Sequence, residues 1–201
     1  MTVTISRLYD SYADAQQAVT ALEAAGVQLS NISIVANNSD GWFDGKKDRD
    51  GDGVDDRAEA AGTGAGIGAG VGGAAGLLAG LGLLAIPGLG PVVAAGWLAA
   101  TAVGAAAGAA TGGVVGALTE AGVSKEDAPL YAEGVRRGGT LVSAKVADAD
   151  RTRFDGILNR SSVNLQDRSA TWQKTGWTGY DPANKPYGAD EVRKERSLYG
   201  S

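Results

Sequence analysis

TVTISRLYDSYADAQQAVTALEAAGVQLSNISIVAN, residues 2–37, carries both of the periodicities from which a small fold is built. Residues 3–9 read as a strand with Val3 and Ile5 on one face. Residues 12–25 switch to helical spacing, with Ala15, Ala18, Val19 and Leu22 in one stripe and Gly26 as a left-handed stop. A second strand follows at residues 31–36, where Ile32 and Ile34 alternate with outward positions. The stretch is a βαβ unit.

The same grammar returns after residue 123. Ser124 supplies a hydroxyl cap, with Glu126 and Asp127 as first-turn acids, ahead of Ala128, Tyr131, Ala132 and Val135. Gly138 and Gly139 end that helix, and residues 140–146 alternate as a third strand with Val142, Ala144 and Val146 on one side. A last helix bears Phe154, Ile157 and Leu158, and residues 163–165 read as a short edge strand. With the intervening block set aside, the order is β-α-β-α-β-α-β. It predicts an α/β fold, a ferredoxin-like split βαβ sandwich with a Gly/Ala-rich helical hairpin inserted. The divisions expected are residues 1–36 and 123–166 for the two parts of the α/β domain, 37–59 for an acidic linker, 60–122 for the hairpin, and 167–201 for a tail.

The stretch at residues 2–37, the later GVSKEDAPLYAEGVRRGGTLVSAKV and the glycine-rich insertion together resemble bacterial heat-induced general stress proteins. The resemblance covers most of residues 2–160. It implies a small α/β fold and stress-associated expression, and it transfers no activity and no active-site residues.

Residues 60–119 carry no charged side chain. Gly64, Gly68, Gly72, Gly76 and Gly80 recur every fourth residue, and Gly96, Ala100, Gly104, Gly108, Gly112 and Gly116 resume the interval after a break at residues 86–91. On helices these are two small-residue faces, and the Pro/Gly break folds them back on each other as a self-association surface. Two elements of about 25 residues would reach roughly 37 Å, enough to cross a hydrocarbon core of about 30 Å. Ten glycines between Gly62 and Gly82 cost a helix roughly 10 kcal/mol relative to alanine. Close packing between copies or a membrane must offset that. The first half also alternates glycine with a period of two, which suits a stacked sheet.

DRDGDGVDDRAE, residues 48–59, matches the twelve-position calcium loop. Asp48, Asp50 and Asp52 offer single oxygens, Gly53 permits the sharp turn, Val54 gives its carbonyl, Asp56 acts through water and Glu59 binds through both oxygens. No helix is expected before it and position eight is Asp55, so an isolated Ca2+ site of roughly 10⁻⁵ to 10⁻³ M is expected rather than a paired EF-hand.

Composition excludes much else. Histidine and cysteine are absent, which removes thiol nucleophiles, imidazole bases, zinc ribbons and disulfides. The net charge is −5, and residues 1–59 hold eleven acids against five bases, so nothing resembles a nucleic-acid footprint. Gly68-Ala69-Gly70-Val71-Gly72-Gly73 satisfies a dinucleotide fingerprint only because glycine is everywhere nearby. From residue 161 periodicity fades, yet Trp172, Trp177, Tyr180, Tyr187 and Tyr199 crowd the tail, which reads equally as a mobile segment or a docking arm.

The function expected is non-enzymatic: a stress-associated homo-oligomer that self-associates, or anchors to a membrane, through the glycine hairpin. A soluble scaffold with buried hairpins and a calcium-responsive binding module are the alternatives. Neither nucleic acid nor a small-molecule substrate is expected. No secretory segment opens the sequence, so the place expected is the cytoplasm or the cytoplasmic side of the inner membrane.

Overall fold

The computed structural model describes residues 1–38, 82–86, 90–98 and 114–199. Strands β1 (Thr2–Tyr9), β2 (Ile32–Asn37), β3 (Gly82–Ile86), β4 (Gly90–Gly96) and β5 (Thr140–Ala147) form one sheet in the order β1-β5-β2-β4-β3. Every neighbouring pair is antiparallel. β5 opposes both β1 and β2, so those two run the same way with β5 between them. The described helices are α1 (Tyr12–Ala24), α2 (Val114–Glu120), α3 (Asp127–Arg136), α4 (Arg151–Leu158), α5 (Leu165–Lys174) and α6 (Ala189–Ser197). The chain is therefore a mixed α/β protein.

Alternation sorts the strand residues onto two faces. Ile5, Tyr9, Ile32, Ile34, Val142, Ala144 and Val146 meet α1 and α4, whose Ala15, Ala18, Val19, Leu22, Phe154 and Leu158 complete that core. The α1 stripe is the one its spacing predicts. Ser11 caps the helix, accepting from Asp14 N at 3.0 Å, and Gly26 ends it at φ +99°. On the opposite face Leu8, Val35, Ala94 and Leu141 pack under α2 and α3 through Val114, Leu118, Ala128, Ala132 and Val135. A row of hydroxyls crosses this second face. Ser6 lies opposite Ser143, which lies opposite Ser33. The Ser6 and Ser143 hydroxyls are 2.8 Å apart, and Ser33 Oγ donates to Ala95 O at 2.8 Å. These pairings let buried serines sit in a strand interior at little cost.

Two expectations need correction. Residues 82–86 and 90–96, assigned to a helical hairpin, are antiparallel strands that extend the sheet beyond β2. The chain does reverse between Ile86 and Gly90, but the elements it joins are extended. Gly96 accordingly belongs to no helical glycine row. Its φ is +87°, and a Cβ there would stand 2.3 Å from Ile32 O and 2.8 Å from Ser33 Cα, so the residue is glycine because β4 ends in a left-handed turn against β2. The second correction concerns residues 163–165. Val163 N donates to Leu8 O at 2.8 Å, one bond along the outer edge of β1, and Leu165 already opens α5. That edge contact is a single bond rather than a strand.

Among the described residues no helix is long and apolar enough to cross a membrane.

Candidate functional site

The densest polar arrangement among the described residues lies where the C-terminal arm, residues 161–199, crosses α3. Its foundation is local. Ser124 Oγ accepts from Asp127 N at 2.9 Å and starts α3, as its sequence predicts. Gly134 lets Leu8 lie against the helix, since a Cβ would come within 2.3 Å of Leu8 Cδ2. Gly138, at φ +106°, ends it.

Glu133 is 0% exposed on this helix and accepts three charged donors. Arg136 reaches it through Nε at 2.8 Å and Nη2 at 2.6 Å, a bidentate pair, while Arg137 Nε reaches Oε1 at 2.5 Å. Burial alone would pull the Arg136 guanidinium down, and the hydrogen bonds and charge of Glu133 outweigh it, so its pKa stands above the ordinary value.

The arm completes the cluster. Glu195 of α6 accepts from Arg137 Nη1 at 3.2 Å, from Trp172 Nε1 at 2.7 Å and from the Tyr199 hydroxyl at 2.8 Å. The two carboxylates and two guanidiniums balance in charge, which makes their burial tolerable. Arg137 also lies over the rings of Trp172, at 4.9 Å, and Tyr187, at 5.2 Å.

Backbone bonds fix the register. Arg136 Nη1 donates to Lys185 O, Tyr187 N donates to Arg136 O, and Arg196 Nη2 donates to Gly138 O. Val192 packs on Gly138 so closely that a Cβ there would meet Val192 Cγ1 at 2.4 Å. A second tie is bidentate: Arg168 of α5 donates to both oxygens of Asp10, at 2.9 and 2.8 Å, and stacks on Tyr199 at 3.4 Å. Trp177 meets Trp172 edge to face at 5.5 Å. Burial pushes the Tyr180 phenol up to about 12, and burial together with the Glu195 carboxylate does the same for Tyr199.

This arrangement ties the arm to α3. It is a structural latch bordered by a cleft of about 300 Å³ between α5 and α6. Trp172, 2% exposed, is the anchor, so the aromatic crowding of the tail marks a docked arm. The charged partners gave no such sign, because neighbouring Arg136 and Arg137 read as helix surface until the arm covers them.

The other sequence-derived site residues fall elsewhere. Asp48, Asp50, Asp52, Val54, Asp56 and Glu59 lie outside the described residues, as do Gly64, Gly68, Gly72, Gly76, Gly80, Ala100, Gly104, Gly108 and Gly112. Among the described residues no cluster of acidic side chains could hold a metal ion. Gly116 sits in α2 at intermediate exposure, while Val114, Ala117 and Leu118 of that helix turn inward.

No family model, no curated protein and no solved structure matches this chain.

Proposed function

We propose that the chain is a non-enzymatic, self-associating protein of the bacterial general stress type, a small α/β module that offers its Gly/Ala-rich insertion to other copies of itself. The strand arrangement reads as a ferredoxin-like split βαβ. β1 and β2 are parallel and joined through α1, with β5 antiparallel between them. The Val163 bond to Leu8 stands where a fourth strand would lie.

One observation carries the self-association reading. The sheet ends on β3, a strand that belongs to the insertion, and among the described residues β3 pairs with β4 alone. An edge strand offers backbone N–H and C=O groups to another chain unless something blunts it, and GLLAI carries no charge and no proline. Contact between copies is favoured over a membrane-inserted helical hairpin because residues 82–86 and 90–96, the middle of that hairpin, are built into the sheet of the domain itself.

Sedimentation velocity on the whole chain tests this. Leu84→Lys places a charge on the edge strand, and Gly72→Leu and Gly108→Leu fill the glycine rows. Each should shrink the assembled species while circular dichroism stays unchanged. Unaltered sedimentation in all three would reject the proposal.

A further inference from the structure

Glu191 and Lys194 stand one turn apart on α6, with Tyr187 just ahead of the helix and Leu198 just past its end. All four border the same cleft of about 300 Å³, whose inner wall includes Trp172 and Arg137. α6 turns Val192 and Glu195 inward, which leaves Glu191, Lys194 and Leu198 exposed. Leu198 is 54% exposed, an aliphatic side chain in water at the rim of an aromatic-walled cleft.

The order of the four is complementary to its own reverse. Read forward it is aromatic, acid, base, aliphatic; read backward it is aliphatic, base, acid, aromatic. Two copies laid antiparallel therefore set tyrosine against leucine and glutamate against lysine at every position, whereas a parallel pairing sets acid on acid and base on base. An antiparallel pair also opposes the two helix dipoles.

We propose that α6 and its cleft form a two-fold interface between two copies of this chain. The axis crosses α6 between Val192 and Arg193. Glu191 and Lys194 then lie about 2 Å to either side of it along the helix, with Tyr187 before its first turn and Leu198 just past its last. Each Leu198 enters the partner's cleft beside Tyr187, and two Glu191–Lys194 pairs close over the centre. The contact is isologous, so it ends at a dimer. It needs neither the insertion nor β3 and stands apart from the assembly proposed above.

Sedimentation equilibrium on the full chain reads this dimer, with circular dichroism as the check on folding. Wild type should dimerise at or below about 100 µM. Leu198→Asp should weaken the dimer about a hundredfold, since symmetry removes two apolar contacts at once. Lys194→Glu and Glu191→Lys should each weaken it about tenfold through like-charge pairs. The double variant Glu191→Lys/Lys194→Glu reverses the order of charges without spoiling its self-complementarity and should restore dimerisation to within about threefold of wild type. Glu191→Lys also gives up the hydrogen bond from Gly188 N to Glu191 Oε2, so Lys194→Glu is the cleaner single variant. A wild type that stays monomeric at 100 µM, single variants that dimerise like wild type, or a double variant as weak as the singles would each overturn the proposal. If α6 variants leave the dimer intact while Leu84→Lys and Gly72→Leu dissolve it, self-association belongs to the insertion alone and this interface is excluded.

Discussion

The α1 side of the sheet and the C-terminal arm on the α3 side hold their helices by opposite means. α1 buries Ala15, Ala18, Val19 and Leu22 against strand residues that are equally apolar. The arm buries only Ser169 and Trp172 from α5 and Val192 and Glu195 from α6, and its centre is Glu133 with two arginines. Apolar contact is non-directional and scales with area, so the α1 side supplies stability. A buried ion cluster contributes little net energy, but it is costly to leave half-paired, so the α3 side supplies a unique register for the arm. The comparison can be broken by removing one central residue from each side.

Glu133→Ala should have the larger effect. It leaves Arg136 buried without a carboxylate and Arg137 with Glu195 alone, and should cost about 4 kcal/mol. The arm should detach before the domain unfolds, because the loss falls on its attachment. Leu22→Ala opens a cavity under α1 and should cost about 3 kcal/mol with no separate loss of the arm. Urea unfolding followed by tail tryptophan fluorescence, in a background with Trp42 and Trp97 replaced by Phe, distinguishes them. Glu133→Ala should show fluorescence changing ahead of the circular dichroism, and Leu22→Ala should show both together. Coincident transitions in Glu133→Ala would mean that the arm is an integral part of the core.

The same contrast decided what could be read from the residues alone. β1, α1, β2, α3, β5 and α4 announce themselves, because each buries one apolar stripe and the period of that stripe names the element. β3 and β4 do not. Gly, Ala and Leu in the runs GLLAI and GPVVAAG carry no clear period, and pairing settles their conformation: β4 pairs with β2, more than fifty residues away in sequence, and β3 pairs with β4. Gly96 shows how the reading went astray: it falls on the four-residue interval of a helical row, yet its backbone is left-handed and pressed against Ile32. The arm was legible through its tryptophans and illegible through its charges, since periodicity treats Glu133, Arg136 and Glu195 as surface.

Two helix-ending glycines sharpen the comparison at smaller energies. Gly26 closes α1 at φ +99° with nothing within 4 Å of a would-be Cβ, and Gly138 closes α3 at φ +106° directly under Val192. Gly26→Ala should cost about 1 kcal/mol, the strain of a left-handed alanine alone. Gly138→Ala adds a clash with an arm residue and should cost about 2 to 3 kcal/mol. Proteolysis should show a loosened arm in Gly138→Ala only. Equal costs would mean that Val192 shifts freely and that the arm is not held tightly at this point.

The smallest effect concerns Tyr199, whose hydroxyl donates to Glu195 at 2.8 Å and whose pKa is pushed up to about 12 by burial and by that carboxylate. Tyr12 is also pushed up to about 12 by burial, but it packs on the α1 side. For a phenol whose pKa is raised on folding, both states are protonated at pH 8 and the full contribution is present. Above about 10 the unfolded chain ionises first, so stability falls as pH rises toward 12. Tyr199→Phe should therefore be less stable than wild type by under about 1 kcal/mol at pH 8, and this gap should close between pH 10 and 12 as the wild type loses its neutral donor. Tail tryptophan emission should follow the gap in Tyr199→Phe and remain indifferent to Tyr12→Phe, because only Tyr199 touches the latch. A gap that stays constant from pH 8 to 12 would show that the Tyr199–Glu195 bond does not help hold the arm, and the latch would then reduce to Glu133, the two arginines and Trp172.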